Sequence, residues 1–500
     1  MAAAEQASEQ DAAASKKEAR GAYRTVIGLE VHVQLNTASK MFCGCSSAYA
    51  EAEANSHVCP VCLGMPGVLP VINKRAVEKT ILTGLALGST IPEFAKFDRK
   101  NYAYPDLMKW YQISQYDMPL CVGGSLDVDA GEGMKRIGIT RVHLEEDTAK
   151  MIHATGEAGD AVSLIDVNRS GTPLMEIVSE PDIETPGEAR AYLVELRNIL
   201  VYLDVSEASM QHGQFRCDAN ISVWPEGTEM GDVKVEIKNM NSFRAVQRAL
   251  AFEEVRLREY WDEHGEMPVQ ETRGWVEASG ETVSQRTKEY SHDYRYFPEP
   301  DLPPLAITRD WVEEIRAGMP ALPDQVRARL EDEIGLKSDD ADQLINDRAL
   351  LLYFEEAAER YEDRQRLANR ILNDLVRNLN DAVQSVAESP VSPAGLVELL
   401  ELEDGGKVSS KMGAAIFKQM FTTGKGAAEI AAESGEQISD EDELLEIVRT
   451  AILGNPAAVE DFRAGKKQAA SFLVGQVMKA TRGRANPGAV NEILRWELSD

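Results

Sequence analysis

Four of the six cysteines of this chain fall inside one short stretch, residues 41–64, MFCGCSSAYAEAEANSHVCPVCLG. Cys43 and Cys45 form a C-x-C pair, and thirteen residues separate it from the C-x-x-C pair of Cys59 and Cys62. Two thiol pairs joined by a short loop are typical of a tetrahedral zinc site, since each pair points two sulfurs at one ion. Four thiolates leave no open position on the metal. The spacing therefore predicts structural zinc, with redox disulfides and free thiols as alternatives.

The composition is that of a globular protein from a reducing compartment. Clustered thiol pairs differ from the disulfide framework of a small secreted domain. A hydrophobic content of 43% suits a packed core, and no apolar run reaches the about 18 residues of a transmembrane helix. Residues 1–22 lack the apolar segment of a signal peptide and are predicted to be a disordered tail. We therefore expect a cytoplasmic protein.

The charge is strongly negative overall but reverses near the end of the chain. A net charge of −30 indicates an acidic, halophile-like surface, or else an acidic surface for a basic partner. Between residues 463 and 491, however, every charged residue is basic. A solvated helix face would mix signs, so this segment favours nucleic-acid binding. Its basic residues are Arg463, Lys466, Lys467, Lys479, Arg482 and Arg484.

The order of predicted elements indicates an α+β protein. Strand-like runs with alternating polar and apolar residues fill the region before Pro304, interrupted by helices over 186–203 and 242–265. Separate strands with few regular βαβ units favour a mainly antiparallel sheet. The later sequence is helical and is broken at residues 389–393, SPVSP. We expect a tail (1–22), a β-rich domain (23–304) that contains the zinc loop (41–64), a helical domain (305–392) and a small, mostly α-helical tail domain (393–500).

Four of the predicted strands place carboxylates beside cations or amides on one face. For any single strand, a solvent-facing edge explains the pattern. All four together favour a magnesium–nucleotide site, because Mg²⁺ prefers carboxylate oxygens and cations neutralise phosphate charge. Neither a P-loop nor a G-x-S-x-G serine motif occurs in the chain. The residues concerned are Glu30 and His32; Glu145, with Glu146 on the opposite face; Arg216 and Asp218; and Glu236 and Lys238.

Several long strings, in one order, resemble the B subunit of the aspartyl/glutamyl-tRNA amidotransferase. They include VIGLEVHVQL, FDRKNYAYPD, RIGITRVHLEED, LIDVNRSGTPLMEIVSEPD, EIKNMNSF and DYRYFPEPDLPP. The resemblance extends from Arg24 to Asp500. It implies a β-rich cradle domain, a helical domain and a tail domain that contacts tRNA. The archaeal E subunit shares the cradle but carries a large insertion, for which this chain has no room.

The resemblance also implies a reaction and partners. The family works as a heterotrimer with an amidase A subunit, which frees ammonia from glutamine, and a small C subunit. The B subunit uses ATP and Mg²⁺ to phosphorylate the side-chain carboxylate of Asp-tRNA(Asn) or Glu-tRNA(Gln), and ammonia then displaces phosphate. Which of the two tRNAs is the substrate stays open. A non-catalytic scaffold that grips tRNA is the rival interpretation.

Individual roles follow partly from the resemblance and partly from the residues. By resemblance, Glu30, His32 and Glu146 belong to the magnesium site, and Glu145 is the next candidate. From the strand pattern we expect Asp218 and Glu236 to line the site as well. Arg216 and Lys238 are expected to face phosphate.

Overall fold

The computed structural model describes residues 23–498, apart from 132, 157–158, 288–293, 435–440, 464–466, 482–484 and 486. The chain divides into two compact units, Met1–Pro323 and Asp324–Asp500. The predicted tail, residues 1–22, lies outside the described part. The finer division at 304 and 392 stays a prediction.

The first unit is built on a large mixed sheet. Its strands run in the order β14-β13-β12-β11-β1-β10-β7-β5, and β6 also pairs with β7. Every pairing in this sheet is antiparallel except that of β12 with β13, which agrees with the predicted α+β class. The bounds are β1 Tyr23–Gln34, β5 Cys121–Val122, β6 Ser125–Asp129, β7 Met134–Glu146, β10 Pro173–Ser179, β11 Phe215–Pro225, β12 Val235–Lys238, β13 Glu271–Val276 and β14 Glu281–Thr287.

Shorter strands form small sheets in the same unit. They pair as β15-β3-β4, β16-β2 and β8-β9. The bounds are β2 Phe94–Ala95, β3 Asp98–Asn101, β4 Tyr111–Ser114, β8 Lys150–Thr155, β9 Ala161–Asp166, β15 Phe297–Pro298 and β16 Leu305–Ala306.

Helices cover one face of the large sheet and leave the other face polar. The first unit contains α1 Lys74–Ala86, α2 Pro186–Tyr202, α3 Phe243–His264 and α4 Arg309–Ala317. The predicted bounds of α2 and α3 are confirmed: the side chains of Thr185 and Ser242 cap their first turns, and Gly265 ends α3 with φ 76°. Leu29 and Val31 of β1 are buried in one core with Leu196 of α2. Because side chains alternate along a strand, Glu30 and His32 lie on the opposite, polar face.

The regular elements described in the second unit are helices and helical turns. Its helices are α5 Pro323–Ala328, α6 Ser338–Ile345, α7 Arg348–Ala358, α8 Arg364–Arg370, α9 Val376–Ala382, α10 Pro393–Asp404, α11 Ser410–Thr423, α12 Ala427–Ser434, α13 Glu441–Gly454, α14 Pro456–Arg463, α15 Lys467–Ala480 and α16 Pro487–Leu498. Two π-helical turns, Arg329–Glu333 and Ile371–Leu375, and a 3₁₀ turn, Val386–Glu388, lie between them. No helix in the described ranges is long and apolar enough to cross a membrane.

Candidate active site

Cross-strand register brings four polar residues into one row on the open face of the sheet. His143 of β7 is opposite Glu176 of β10, Glu176 is opposite His32 of β1, and His32 is opposite Arg216 of β11. Directly opposed residues of antiparallel strands point to the same side of the sheet. Polar residues far apart in the sequence are therefore neighbours here.

His32, Glu145 and Glu176 form a compact group of potential metal ligands on this face. Nε2 of His32 lies 3.3 Å from Oε2 of Glu176 and 3.8 Å from Oε1 of Glu145. One potential ligand atom from each residue lies within 4.8 Å of the others. Two carboxylates and one imidazole around such a space suit a divalent cation, which small side-chain shifts would bring to bonding distance.

The electrostatics of this group also favour a cation. Burial opposes protonation of His32, but its hydrogen bond to Glu176 and the charges of Glu145 and Asp218 prevail and raise its pKa to about 9. Burial, followed by the charge of Glu176, raises the pKa of Glu145. Despite its burial, Glu176 has its pKa held well below the usual range by His143 and His32. Without a metal the group thus holds a proton on His32; a divalent ion bound to that nitrogen would replace the proton.

Glu146, which was predicted for the magnesium site, lies outside this group. Its carboxylate forms a 2.6 Å ion pair with Lys109 and accepts a 3.0 Å hydrogen bond from the backbone N–H of Ile113. Adjacent residues of a strand point to opposite faces, so Glu145 and Glu146 cannot both reach His32. The third member is Glu176, which the sequence reasoning missed. A single carboxylate in the apolar strand PLMEIVS was the available signal.

Glu30 lies one row away from the group, on the same face. It is opposite Asp218 of β11, and Nδ2 of Asn220 lies 3.4 Å from its Oε1. Burial, followed by the charge of Glu176, raises the pKa of Glu30. Glu30 therefore flanks the site without being part of its three-residue group.

The two cations expected to face phosphate are both paired with carboxylates. Arg216 Nη2 lies 3.1 Å from Oδ1 of Asp147. Lys238 pairs with Asp218 and lies 3.2 Å from Oε1 of Glu236. Carboxylates thus already neutralise these charges. The contacts of Arg216 with Asp147 and of Lys238 with Asp218 join distant parts of the sequence, which a single sequence without strand order does not reveal.

Lys100 is a cation on this face that the sequence reasoning missed. It sits in β3, and its Nζ lies 5.0 Å from the ring centroid of Tyr294 and 5.9 Å from that of Tyr102. Burial opposes its charge, but the carboxylates of Glu145 and Glu176 outweigh burial and raise its pKa. Within the described part of the chain Lys100 makes no ion pair at contact distance. Its ammonium is therefore available to an anionic ligand.

His32, Glu145 and Lys100 line a cleft of about 390 Å³, within the usual range of small-molecule sites. The cleft combines carboxylates that can bind a cation with an ammonium that can bind an anion. Its polar lining comprises His32, Lys100, Tyr102, Gln112, Glu145, Asp147, Thr148, Arg216, Asp218, Lys238, Asn239 and Asn241.

The four clustered cysteines converge as their spacing predicts. The four sulfurs of Cys43, Cys45, Cys59 and Cys62 all lie within 4.8 Å of one another, and those of Cys59 and Cys62 are 3.9 Å apart. Zinc–sulfur bonds of about 2.3 Å in a tetrahedron separate the sulfurs by roughly 3.8 Å. The backbone N–H of Cys59 donates to the sulfur of Cys62, the kind of contact that orients a ligand. The cluster therefore fits a closed four-thiolate ion.

The cysteine loop packs beneath the strand that carries Glu145. A small cavity between the loop and β7 is lined by Cys43, Cys62, Lys109 and Glu146. The wholly buried Lys40 fastens the loop through 2.8 Å and 3.3 Å hydrogen bonds to the carbonyl oxygens of His57 and Val167. The loop thus supports the site from behind without contributing to its open face.

If the four thiolates hold zinc, its removal is expected to lower the melting temperature by about 5 °C or more, because the metal would fasten a loop of the first unit. Metal analysis should give about one zinc per chain, and Cys43→Ser should reproduce the loss of stability. Restoring zinc to the chelated protein is the control. An unchanged melting temperature after verified loss of the metal would contradict the structural role.

Half of the basic residues of the segment lie outside the described residues. Lys466, Arg482 and Arg484 belong to the undescribed ranges, and Arg463 and Lys467 are described only as the ends of helices α14 and α15. Lys479 is exposed in α15. The predicted tRNA-binding role of the segment stays a prediction.

Comparison with known proteins gives matches over nearly the whole chain. Residues 25–313 match the family model described as the GatB/GatE catalytic domain, and residues 352–498 match that of the GatB domain. A protein of Dehalococcoides mccartyi (strain CBDB1), named as the B subunit of aspartyl/glutamyl-tRNA(Asn/Gln) amidotransferase, is 53% identical over 96% of this chain and 99% of its own length. Proteins of the same name from Carboxydothermus hydrogenoformans and Thermomicrobium roseum are each 51% identical, over 95% of this chain and 99% of their own lengths.

Proposed function

Because this chain belongs to the family of B subunits of aspartyl/glutamyl-tRNA(Asn/Gln) amidotransferases, we propose that it carries the ATP-dependent step of transamidation. In this step the side-chain carboxylate of Asp-tRNA(Asn) or Glu-tRNA(Gln) is phosphorylated and then amidated. The observation that carries the proposal is the His32–Glu145–Glu176 group, of which His32 and Glu145 line one cleft together with Lys100. Lys100 has no ion pair among the described residues. Carboxylate ligands and an available ammonium are what a metal–nucleotide complex requires.

The chemistry explains why such a cleft is needed. A carboxylate is a poor electrophile for ammonia, and phosphorylation converts one of its oxygens into a leaving group. One oxygen attacks the γ-phosphorus and the bond to ADP breaks; ammonia then attacks the carbonyl carbon, and the carbon–oxygen bond to phosphate breaks. The extra proton of the nitrogen passes to a base. The task of the protein is mainly positioning and charge stabilisation.

The side chains divide this task between them. His32, Glu145 and Glu176 would hold a divalent ion, Mg²⁺ in the cell, which when bound would neutralise phosphate charge. Lys100 is placed on the same wall to contact the transferring phosphoryl group. Arg216 and Lys238, paired with carboxylates, serve mainly to hold Asp147 and Asp218 in place.

The proposal extends to partners, because the relatives are named as one subunit of a larger enzyme. An amidase A subunit and a small C subunit would complete a heterotrimer, and the amidase would supply ammonia from glutamine. Structural zinc in the cysteine loop belongs to the same proposal.

The decisive experiment is co-purification of the chain with its partner subunits, followed by an assay with glutamine, ATP and misacylated tRNA. We expect formation of Asn-tRNA from Asp-tRNA(Asn), or Gln-tRNA from Glu-tRNA(Gln), with equivalent release of ADP. Testing both tRNAs separately identifies the substrate. A complex that binds both tRNAs but amidates neither would support the scaffold interpretation instead.

We also propose that the basic segment binds tRNA. Changing Lys466, Lys467, Arg482 and Arg484 together to Glu is expected to weaken tRNA binding. The slope of the logarithm of the binding constant against the logarithm of the salt concentration should become shallower by about 3. Reversal of the exposed Lys407, Lys411 and Lys418, outside the segment, is the control. Equal affinity of the segment variant and the parent at one stated salt concentration would refute the role.

A further inference from the structure

Glu176 lies between two imidazoles, and only one of them reaches the cleft. Nε2 of His32 lies 3.3 Å from Oε2 of Glu176, and Nε2 of His143 lies 3.5 Å from the same oxygen. The two histidines come from the strands on either side, β1 and β7. His32 lines the cleft, whereas the side chain of His143 is 2% exposed and lies behind the carboxylate.

The surroundings of His143 fix which ring nitrogen carries the proton. Its Nδ1 is buried and has no hydrogen-bond partner among the described residues, whereas its Nε2 faces a carboxylate. A buried N–H without an acceptor costs about 1–3 kcal/mol. The proton therefore belongs on Nε2, where Glu176 can accept it, and the bare Nδ1 carries the smaller penalty.

We propose that His143 is a positioning residue that holds Glu176 in the orientation that binds the divalent ion. The inference rests on the proposed function, because it requires the His32–Glu145–Glu176 group to be a metal site. When Nε2 of His32 binds a metal, it has no proton to give Glu176. His143 is then the imidazole donor that remains, and a donor behind a ligating carboxylate typically strengthens metal binding 10- to 100-fold, as a rough range.

The test is Mn²⁺ binding to the full-length, zinc-loaded chain, measured from the electron paramagnetic resonance signal of free Mn²⁺. His143→Leu removes the donor and is expected to weaken binding by about 10- to 100-fold. His143→Gln places an amide N–H near the position of Nε2 and should restore most of the affinity. His153→Leu, at an exposed histidine of β8, is the matched control and should bind Mn²⁺ like the parent.

A second pair of variants keeps the test decisive if His143→Leu does not fold. Asn is shorter than Gln by one methylene and falls short of Glu176, so His143→Asn should bind Mn²⁺ more weakly than His143→Gln. In the holoenzyme, His143→Leu and His143→Asn should both raise the metal concentration that half-saturates ADP release. Equal Mn²⁺ affinity of Asn, Gln and parent proteins would overturn the positioning role.

His32→Ala separates this inference from the proposed function. If His32→Ala loses Mn²⁺ binding and the His143 variants keep it, the metal site stands and the role of His143 is refuted. If His32→Ala binds Mn²⁺ as tightly as the parent, the metal site and everything that rests on it fail together.

Discussion

Glu145→Gln is expected to lower ATP-dependent amidation by about 10³-fold or more, whereas the same change at the next residue, Glu146→Gln, is expected to destabilise the fold. A charged ligand contributes several kcal/mol of charge stabilisation to a metal-assisted step, and each 1.36 kcal/mol is about tenfold in rate. Glu145 faces the cleft within reach of His32. We therefore expect its loss to appear in Mn²⁺ binding and in ADP release.

Glu146 faces the cysteine loop, and its loss should have a different effect. Lys109, with 10% of its side chain exposed, pairs with this carboxylate at 2.6 Å. Removing one partner of a buried ion pair costs about 3–5 kcal/mol. Glu146→Gln should thus lower the melting temperature clearly while the folded fraction still binds Mn²⁺.

The two variants control each other, because they make the same substitution at neighbouring positions. Melting temperature, Mn²⁺ affinity and tRNA affinity should be measured on both. Retained tRNA binding with lost ADP release in Glu145→Gln would exclude the scaffold interpretation. Loss of Mn²⁺ binding in Glu146→Gln alone would return Glu146 to the metal site and refute the role of Glu145.

The sequence predicted the features that depend on local spacing. The C-x-C and C-x-x-C pairs converge because each pair occupies its own tight turn, and Glu30 and His32 share a face because strand periodicity is two. The same periodicity already separated Glu146 from Glu145. In the structure Glu145 lies near His32, whereas Glu146 pairs with Lys109 on the opposite side of the strand.

Features that depend on strand order were beyond the reach of a single sequence. Nothing local shows that the strand containing Glu176 lies between β1 and β7, or that Lys238 faces Asp218 across the sheet. Glu176 was therefore not selected as a candidate, and Lys238, placed beside Glu236, was expected to face phosphate. The register brings Glu176 beside His32 and His143, and Lys238 beside Asp218.

Lys100→Met is the second change expected to have a large effect, a loss of about 10²–10³-fold in ATP-dependent amidation. Removing one preorganised donor from developing charge typically costs this much. The ammonium of Lys100 lies beside Tyr294 and Tyr102 on the wall of the cleft, without an ion pair among the described residues. Its charge is therefore available to bind an anionic ligand and is not used in an ion pair among the described residues.

The control for Lys100 is Lys238→Met, which removes a cation already neutralised by Asp218 and Glu236. Lys100→Arg keeps the charge and should recover part of the rate, whereas Lys238→Met should mainly lower stability. Rates should be compared at saturating ATP, so that weaker nucleotide binding is separated from slower phosphoryl transfer. If Lys238→Met slows ADP release more than Lys100→Met does, phosphate is contacted from β12 rather than from β3, and Lys238 rather than Lys100 is the residue that stabilises the transferring phosphoryl group.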